Sequence, residues 1–280
     1  MGTHVKSRLF ALSLIAAVIA LAVTGCAQPT PTPAAPAAAK ITIPPSELVE
    51  AGKLTIATTG NAAPFSFLDK DGKLQGYDID LCTALADRFG LTPVWVQVEF
   101  AGTLPGLTSG RWDMVCSGVN MTPQRLTSPE FSMSVATIQG AGQLYMRGDD
   151  DRFKTYTDLK GKTIGAVRGG WFAGYVKDTL LAGDVQVLEY PGEAELFLDL
   201  QNKRIDAAAH AALAYGIVDK YKVKTPLPTY NPTPVGMAIR KQARTLLKEV
   251  NSAVIDFQDQ SQLEKWQVKW WGRSHIPGSQ

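Results

Sequence analysis

One pattern restricts the folds open to this chain: short apolar runs alternating with amphipathic stretches, in two successive blocks. In the first block, residues 54–58, 93–98 and the run starting at Met114 read as strands. Between them, Asp78 opens a helix whose Leu81, Cys82, Leu85 and Phe89 share one face, and Gly90 stops it. A second, shorter helix spans residues 103–109 and ends at Gly110. Strands separated by helices pair side by side in parallel, so the block predicts an α/β layer. Residues 143–146 read as a strand crossing out of this layer, and 147–151 as a solvated turn. The pattern then repeats, with strands at 163–167, 185–188 and 206–209, and helices at 171–181, 193–202 and 212–220. Residues 235–240 read as a strand carrying the chain back, and helices at 243–257 and 262–271 should pack on the first layer.

Composition narrows the function. The 280 residues are 45% hydrophobic and 19% charged, a globular balance sufficient for two domains of about 100 residues each. Lys6 and Arg8 precede Cys26, and without them 26 basic residues face 26 acidic ones. No basic field for nucleic acid results. The three histidines, His4, His210 and His275, have no close Cys or His neighbour, so neither a metal nor a cofactor is expected. Cys82 and Cys116 read as two buried small apolar side chains, with a disulfide as the alternative in an exported protein.

Residues 1–26 show a basic start, an apolar run over 9–23 and small residues before Cys26, as in a signal peptide. Val23-Thr24-Gly25-Cys26 resembles the lipobox of bacterial lipoproteins, in which the cysteine is lipidated, although that pattern prefers Leu at the place of Val23. A plain transmembrane anchor needs about 20 apolar residues, longer than this run. Residues 27–47 begin Pro- and Ala-rich and read as a semi-rigid spacer. The expected location is therefore extracytoplasmic, on a lipid anchor at Cys26.

The segment from Ser117 to Ser132 carries the chemistry. Gly118 admits a ligand to the backbone, Asn120 and Thr122 offer hydrogen bonds, Pro123 suits a first helical turn, and Arg125 presents a planar five-donor fork. Together they would hold a carboxylate. The spacing Gly118-x-x-x-Thr122-x-x-Arg125, followed by Phe131-Ser132, resembles the signature of the bacterial extracellular solute-binding proteins that serve polar amino acid ABC transporters. Pro64-Phe65-Ser66-Phe67, the Gly76-Tyr77-Asp78-Ile79-Asp80-Leu81 run, Asp158-Leu159-Lys160-Gly161 and Lys269-Trp270-Trp271-Gly272 agree with it in order. The resemblance covers residues 48–272 and implies a two-lobed, type II periplasmic-binding-protein-like fold with a two-strand hinge. Residues 48–142 with 235–280 would form lobe 1, and 143–234 lobe 2. It further implies a monomer that closes on a small carboxylate-bearing solute and is read by an ABC transporter permease.

Ligands of open α/β sheets sit beyond the C-terminal strand ends, so the site should lie between the lobes. The resemblance assigns the carboxylate grip to Arg125, its completion to Gly118 and Asn120, an aromatic side to Phe100, and the facing loop to Arg168, Gly169 and Gly170. Phe65, Trp171 and Phe172 would add an aromatic pocket. Two positions depart from the family: the acid that pairs with an α-ammonium five places after Asp-Ala is here Ala211, and Thr59-Gly60-Asn61 holds no acid before Pro64. A buried ammonium without a carboxylate is costly. The ligand is therefore expected to be an organic anion or a bulky amino-acid-like molecule, or else a standard amino acid held by backbone carbonyls. An exported cyclohexadienyl or arogenate dehydratase is the alternative on this fold, but the position of that family's acid after the Gly-Gly turn is Ala173 here.

Overall fold

The computed structural model describes residues 42–137, 142–212 and 217–272. The signal segment, Cys26 and most of the spacer lie outside the described residues. Strand β1 (Lys53–Thr58) leads to a small antiparallel sheet of β2 (Asn61–Ala62), β3 (Ser66–Leu68) and β4 (Leu74–Gln75). Helix α1 (Tyr77–Phe89), β5 (Thr92–Gln97), α2 (Phe100–Thr108) and β6 (Met114–Val115) follow. The chain continues through β7 (Glu130–Phe131) and β8 (Ala136–Thr137) into β9 (Gln143–Arg147), β10 (Thr163–Val167), α3 (Trp171–Tyr175) and β11 (Gln186–Tyr190). Next come α4 (Glu193–Gln201), β12 (Ala207–His210), α5 (Ile217–Tyr221) and β13 (Val223–Lys224). Strands β14 (Pro234–Val235) and β15 (Ala238–Ile239) and helices α6 (Arg244–Asp259) and α7 (Gln262–Trp271) complete it.

The two large sheets repeat one plan. The first runs β5-β1-β6-β15-β7 and the second β11-β10-β12-β9-β13. In each, three strands are parallel, and a strand from beyond a crossover joins them antiparallel: β15 beside β6, β9 beside β12. The first sheet buries one face against α1, α6 and α7, where Leu54, Ile56, Leu81, Leu85, Leu246, Val250 and Trp271 share a core. Its other face meets α2 through Ala57, Val115, Leu107 and Trp112. The second sheet alternates residue by residue: Leu144, Met146, Ala207 and Ala209 face α3, while Tyr145 and Ala208 face α4. This period of two places apolar side chains on both faces, as a central sheet requires.

Helix α1 forms where expected, with Leu81, Cys82 and Leu85 fully buried and Gly90 closing it in the left-handed conformation at φ 66°. Its entry is steric: Gly76 has φ 133°, and a Cβ there would lie 2.2 Å from the carbonyl oxygen of Phe65. At the other end of the first sheet, the buried carboxylate of Asp113 accepts hydrogen bonds from Val49 N (2.7 Å), Thr55 N (2.8 Å) and the Arg240 guanidinium (2.8 Å). That cluster ties the returning chain to β1.

Three expectations change. Residues 143–146 are not the crossing strand; β9 lies inside the second sheet, and the crossing pair is β8 with β14, Ala136 opposite Val235 and Thr137 opposite Pro234. A bridge between Gly142 and Tyr230 continues that pairing. The helix expected after Pro123 is one 3₁₀ turn, Arg125–Thr127. The cysteines, expected as separate buried thiols, are joined: Cys82 on α1 and Cys116 after β6 form a disulfide across 34 residues. Both positions are inward-facing, Cys82 at 0% and Cys116 at 2% exposure, which brings the sulfurs together in the core.

Closing a loop of that length restricts the unfolded chain by about 3–4 kcal/mol in the loop-entropy description. Reductant should therefore lower the melting temperature of the wild-type protein and leave a Cys82→Ala/Cys116→Ala double variant, already less stable, unchanged. A wild-type melt indifferent to reductant, with intact mass showing two free thiols, would contradict the bond.

Candidate functional site

The C-terminal ends of β1, β6, β10, β11 and β12 converge on one cavity, as parallel strands direct them to do. Thr59 follows β1, Ser117 and Gly118 follow β6, Val167 ends β10, Glu193 lies just beyond β11, and His210 ends β12; all line it. Of the nine residues expected in the site, eight line this cavity: Phe65, Phe100, Gly118, Asn120, Arg125, Gly170, Trp171 and Phe172. Arg168 does not. Its side chain is half exposed on the rim, with its guanidinium 3.9 Å from Glu99. The local reason is that the Arg168 amide donates to Tyr190 O (2.8 Å), and the chain turns at Gly169 before Gly170 and Trp171 reach the cavity.

Arg125 is held without a carboxylate among the described residues. One terminal nitrogen donates to Asn120 O (3.1 Å) and the other to Gly169 O (2.9 Å), which belongs to the facing lobe. The guanidinium also lies over the Phe100 ring, 5.3 Å from its centre. Burial pulls its pKa down to about 10, leaving the group charged at neutral pH. A desolvated cation with only carbonyl and ring partners retains capacity for an anion.

The backbone beside it is fixed by a buried acid. Gly118 sits at φ 59°, and a Cβ there would press within 3.1 Å of the Phe65 ring. Its amide donates to Asp78 Oδ2 at 2.6 Å. Asp78 is the second residue of α1, is 2% exposed, and is pushed up to about 7 by burial, the Gly118 bond opposing. Next to Gly118, Ser117 Oγ lies 3.0 Å from Thr59 Oγ1 and tethers the β1 and β6 loops together.

The facing lobe contributes a residue that the sequence reading did not assign. Glu193 is the first residue of α4, 3% exposed, and lines the cavity. One carboxylate oxygen is 3.4 Å from the Tyr221 hydroxyl and 3.5 Å from the Lys220 ammonium. The other, Oε2, is buried with no hydrogen bond, 4.0 Å from His210 Nε2. Burial pushes Glu193 up to about 7 and His210 down to about 4. Asn120 Nδ2 and Trp171 Nε1 are likewise buried without partners. The lining thus holds unused donors and an unused acceptor amid rings, which is the pattern of a small-molecule pocket. Among the described residues no cluster could hold a metal ion, and no helix is long and apolar enough to cross a membrane.

Residues 54–273 match the family model of the bacterial extracellular solute-binding proteins, family 3. The chain belongs to that family. It is 30% identical over 230 residues to the L-cystine-binding protein TcyJ of Escherichia coli K12, covering 81% of this chain and 85% of that one. Among solved structures it resembles an ancestral arginine-binding protein bound to arginine, with 31% identity and a TM-score of 0.73 over 79% of this chain and 99% of that one. It also resembles the ancestral amino acid-binding protein AncCDT-1, a precursor of cyclohexadienyl dehydratase, at 27% identity and a TM-score of 0.72 over 79% and 96% of the two chains. The two-lobed architecture is common to these solute-binding neighbours.

The Asp78 contact generates a pH test. Its folded pKa lies above the unfolded value of 3.8, so between about pH 4 and 7 the folded state keeps a proton that the unfolded state has lost. Stability from this group therefore falls as pH rises through that window. His210, depressed in the fold, acts oppositely there. Asp78→Asn keeps an acceptor for the Gly118 amide and removes the titration. Its melting temperature should gain on wild type as pH goes from about 4 to 7; a constant difference would remove Asp78 as the cause.

Proposed function

We propose that this protein is the lipid-anchored capture component of an ABC importer for amino acids, closing its two lobes on the ligand and presenting the closed form to a permease. The observation that carries the reading is Arg125, a half-buried guanidinium with no carboxylate partner among the described residues, bonded at once to Asn120 O in its own lobe and Gly169 O across the cleft. A ligand carboxylate held there joins both lobes, and so binds the closed arrangement more tightly than the open one. Differential affinity of that kind is what shifts a hinge equilibrium. Family membership and the cystine- and arginine-binding relatives support an amino acid as the cargo.

The anchor rests on sequence. Val23-Thr24-Gly25-Cys26 after an apolar run supports lipidation at Cys26, and the Pro- and Ala-rich spacer would hold the folded part off the membrane surface. The protein would act as a monomer outside the cytoplasm. The dehydratase alternative needs a proton donor at the leaving hydroxyl. Ala173, at the position expected of that family's acid, is a buried residue of α3 and does not line the cavity. Glu193 is the acid available, so incubation with prephenate or arogenate tests this reading directly; aromatic product at multiple turnovers would replace capture with catalysis.

Arg125→Ala should weaken ligand binding by about 2–5 kcal/mol, because the ligand carboxylate would stay buried without its charged partner. Calorimetry with an L-amino acid that binds wild type reads this. Equal affinity in the variant would take Arg125 out of the site.

A further inference from the structure

We propose that Glu193 is the ammonium-reading residue of the cleft, and that the cleft selects an amino acid with an uncharged side chain over basic or doubly charged ones. The inference rests on the amino-acid reading above and adds which amino acids fit. It starts from the missing acid: Ala211 occupies the place where the resemblance leads one to expect a carboxylate, and Ala211 lines the cavity. Glu193, on a different element, lines the same cavity and leaves Oε2 unbonded there. Its other oxygen is taken by Tyr221 and Lys220. One free, buried acceptor oxygen accommodates one ammonium group.

The remaining lining decides the side chain. Among the described residues around the cavity, Arg125 is the one guanidinium and Glu193 the one carboxylate. The rest of the boundary is largely apolar, from Phe65, Phe100, Trp171 and Phe172 to Ala62 and Ala63. Arginine would bring a second cation with no second carboxylate to meet it. Cystine would bring a second ammonium and a second carboxylate into an aromatic enclosure. Burying an unpaired charge is unfavourable enough to exclude both. The cavity measures about 70 Å³.

The charge state follows from the same contacts. Glu193 faces His210 on β12, Lys220 and Tyr221 on α5, and Tyr145 on β9. His210 is kept neutral by burial, and among the described residues Lys220 is the cation close to the carboxylate. An arriving ammonium favours the ionised carboxylate, so binding near neutral pH should release a proton from Glu193.

The test is calorimetry on the full chain, freed of carried ligand by unfolding and refolding. The ligands are L-alanine, L-serine, L-arginine, L-cystine and propanoate, the deaminated counterpart of alanine. L-Alanine or L-serine should bind at least 100-fold more tightly than L-arginine, L-cystine or propanoate. Titrations of L-alanine in two buffers of different ionisation enthalpy, at about pH 7, should show net proton release. Glu193→Gln should weaken L-alanine at least 10-fold and abolish that release, with its circular dichroism spectrum unchanged. Arginine or cystine within tenfold of alanine would overturn the selectivity while leaving amino acid capture intact. Propanoate equal to alanine, or wild type with no proton release, would overturn the role of Glu193, even if the variant did not fold. Failure of all four amino acids with retained propanoate binding would instead sink the amino-acid reading itself.

Discussion

A charge withdrawn from water needs a partner, and the way this chain distributes partners organises the molecule. Asp113, with none of its surface exposed, is met by Arg240 and two backbone amides. Arg147 and Arg152 converge on Asp150 in the second lobe, where Arg147 also caps the carbonyls of Leu200 and Ile205. In both clusters carboxylate and guanidinium meet directly, and they brace the sheets. Arg125 and Glu193 are left incompletely matched, one in each lobe, at the ends of the sheets that face each other. Two groups of opposite sign left beside one cavity are the arrangement on which the proposal of a zwitterionic ligand rests.

Precision at that cavity comes from the supporting shell. The amide of Gly118 is directed by Asp78, which α1 holds in the core next to the Cys82–Cys116 bond. Phe65 fills the space over Gly118 and packs edge-on against Trp271 of α7. The last helix therefore reaches the site through one ring. On the other side, Trp171 meets Tyr175 and Tyr230 edge-on, and those two rings stack nearly parallel. The aromatic residues expected from sequence as ligand contacts thus divide their surface between the cavity and the core.

Much of this was legible in the residues. The repeating strand and helix runs gave the two parallel layers, because periodicity reports burial directly. Phe100, Gly118, Asn120, Arg125 and Gly170 were expected from the family resemblance, and Phe65, Trp171 and Phe172 as rings beside them; all eight line the cavity. Glu193 was not expected, since an acid at the first position of a helix is ordinary dipole chemistry, and only the tertiary position of α4 turns it toward the cleft. Its signal was available in Gly192-Glu193 directly after β11, the same strand-to-helix position that made Gly170-Trp171 a candidate. Arg168 misled because adjacent residues at a turn point in different directions. The outgoing crossing strand escaped because β8 is two residues long, too short for any period to register, while the return expected at 235–240 is split between β14 and β15.

The antiparallel pairing of β8 with β14 sets the exit of the chain from the first layer beside its return. Everything in between is topologically a single insertion with adjacent ends. Glu193, Trp171 and His210 all belong to it, while Arg125 and Asp78 do not. The carboxylate grip and the specificity elements proposed above are thereby carried on separable pieces of one gene, and on that reading exchanging the inserted cassette alone would retune what is captured while leaving the gripping scaffold in place.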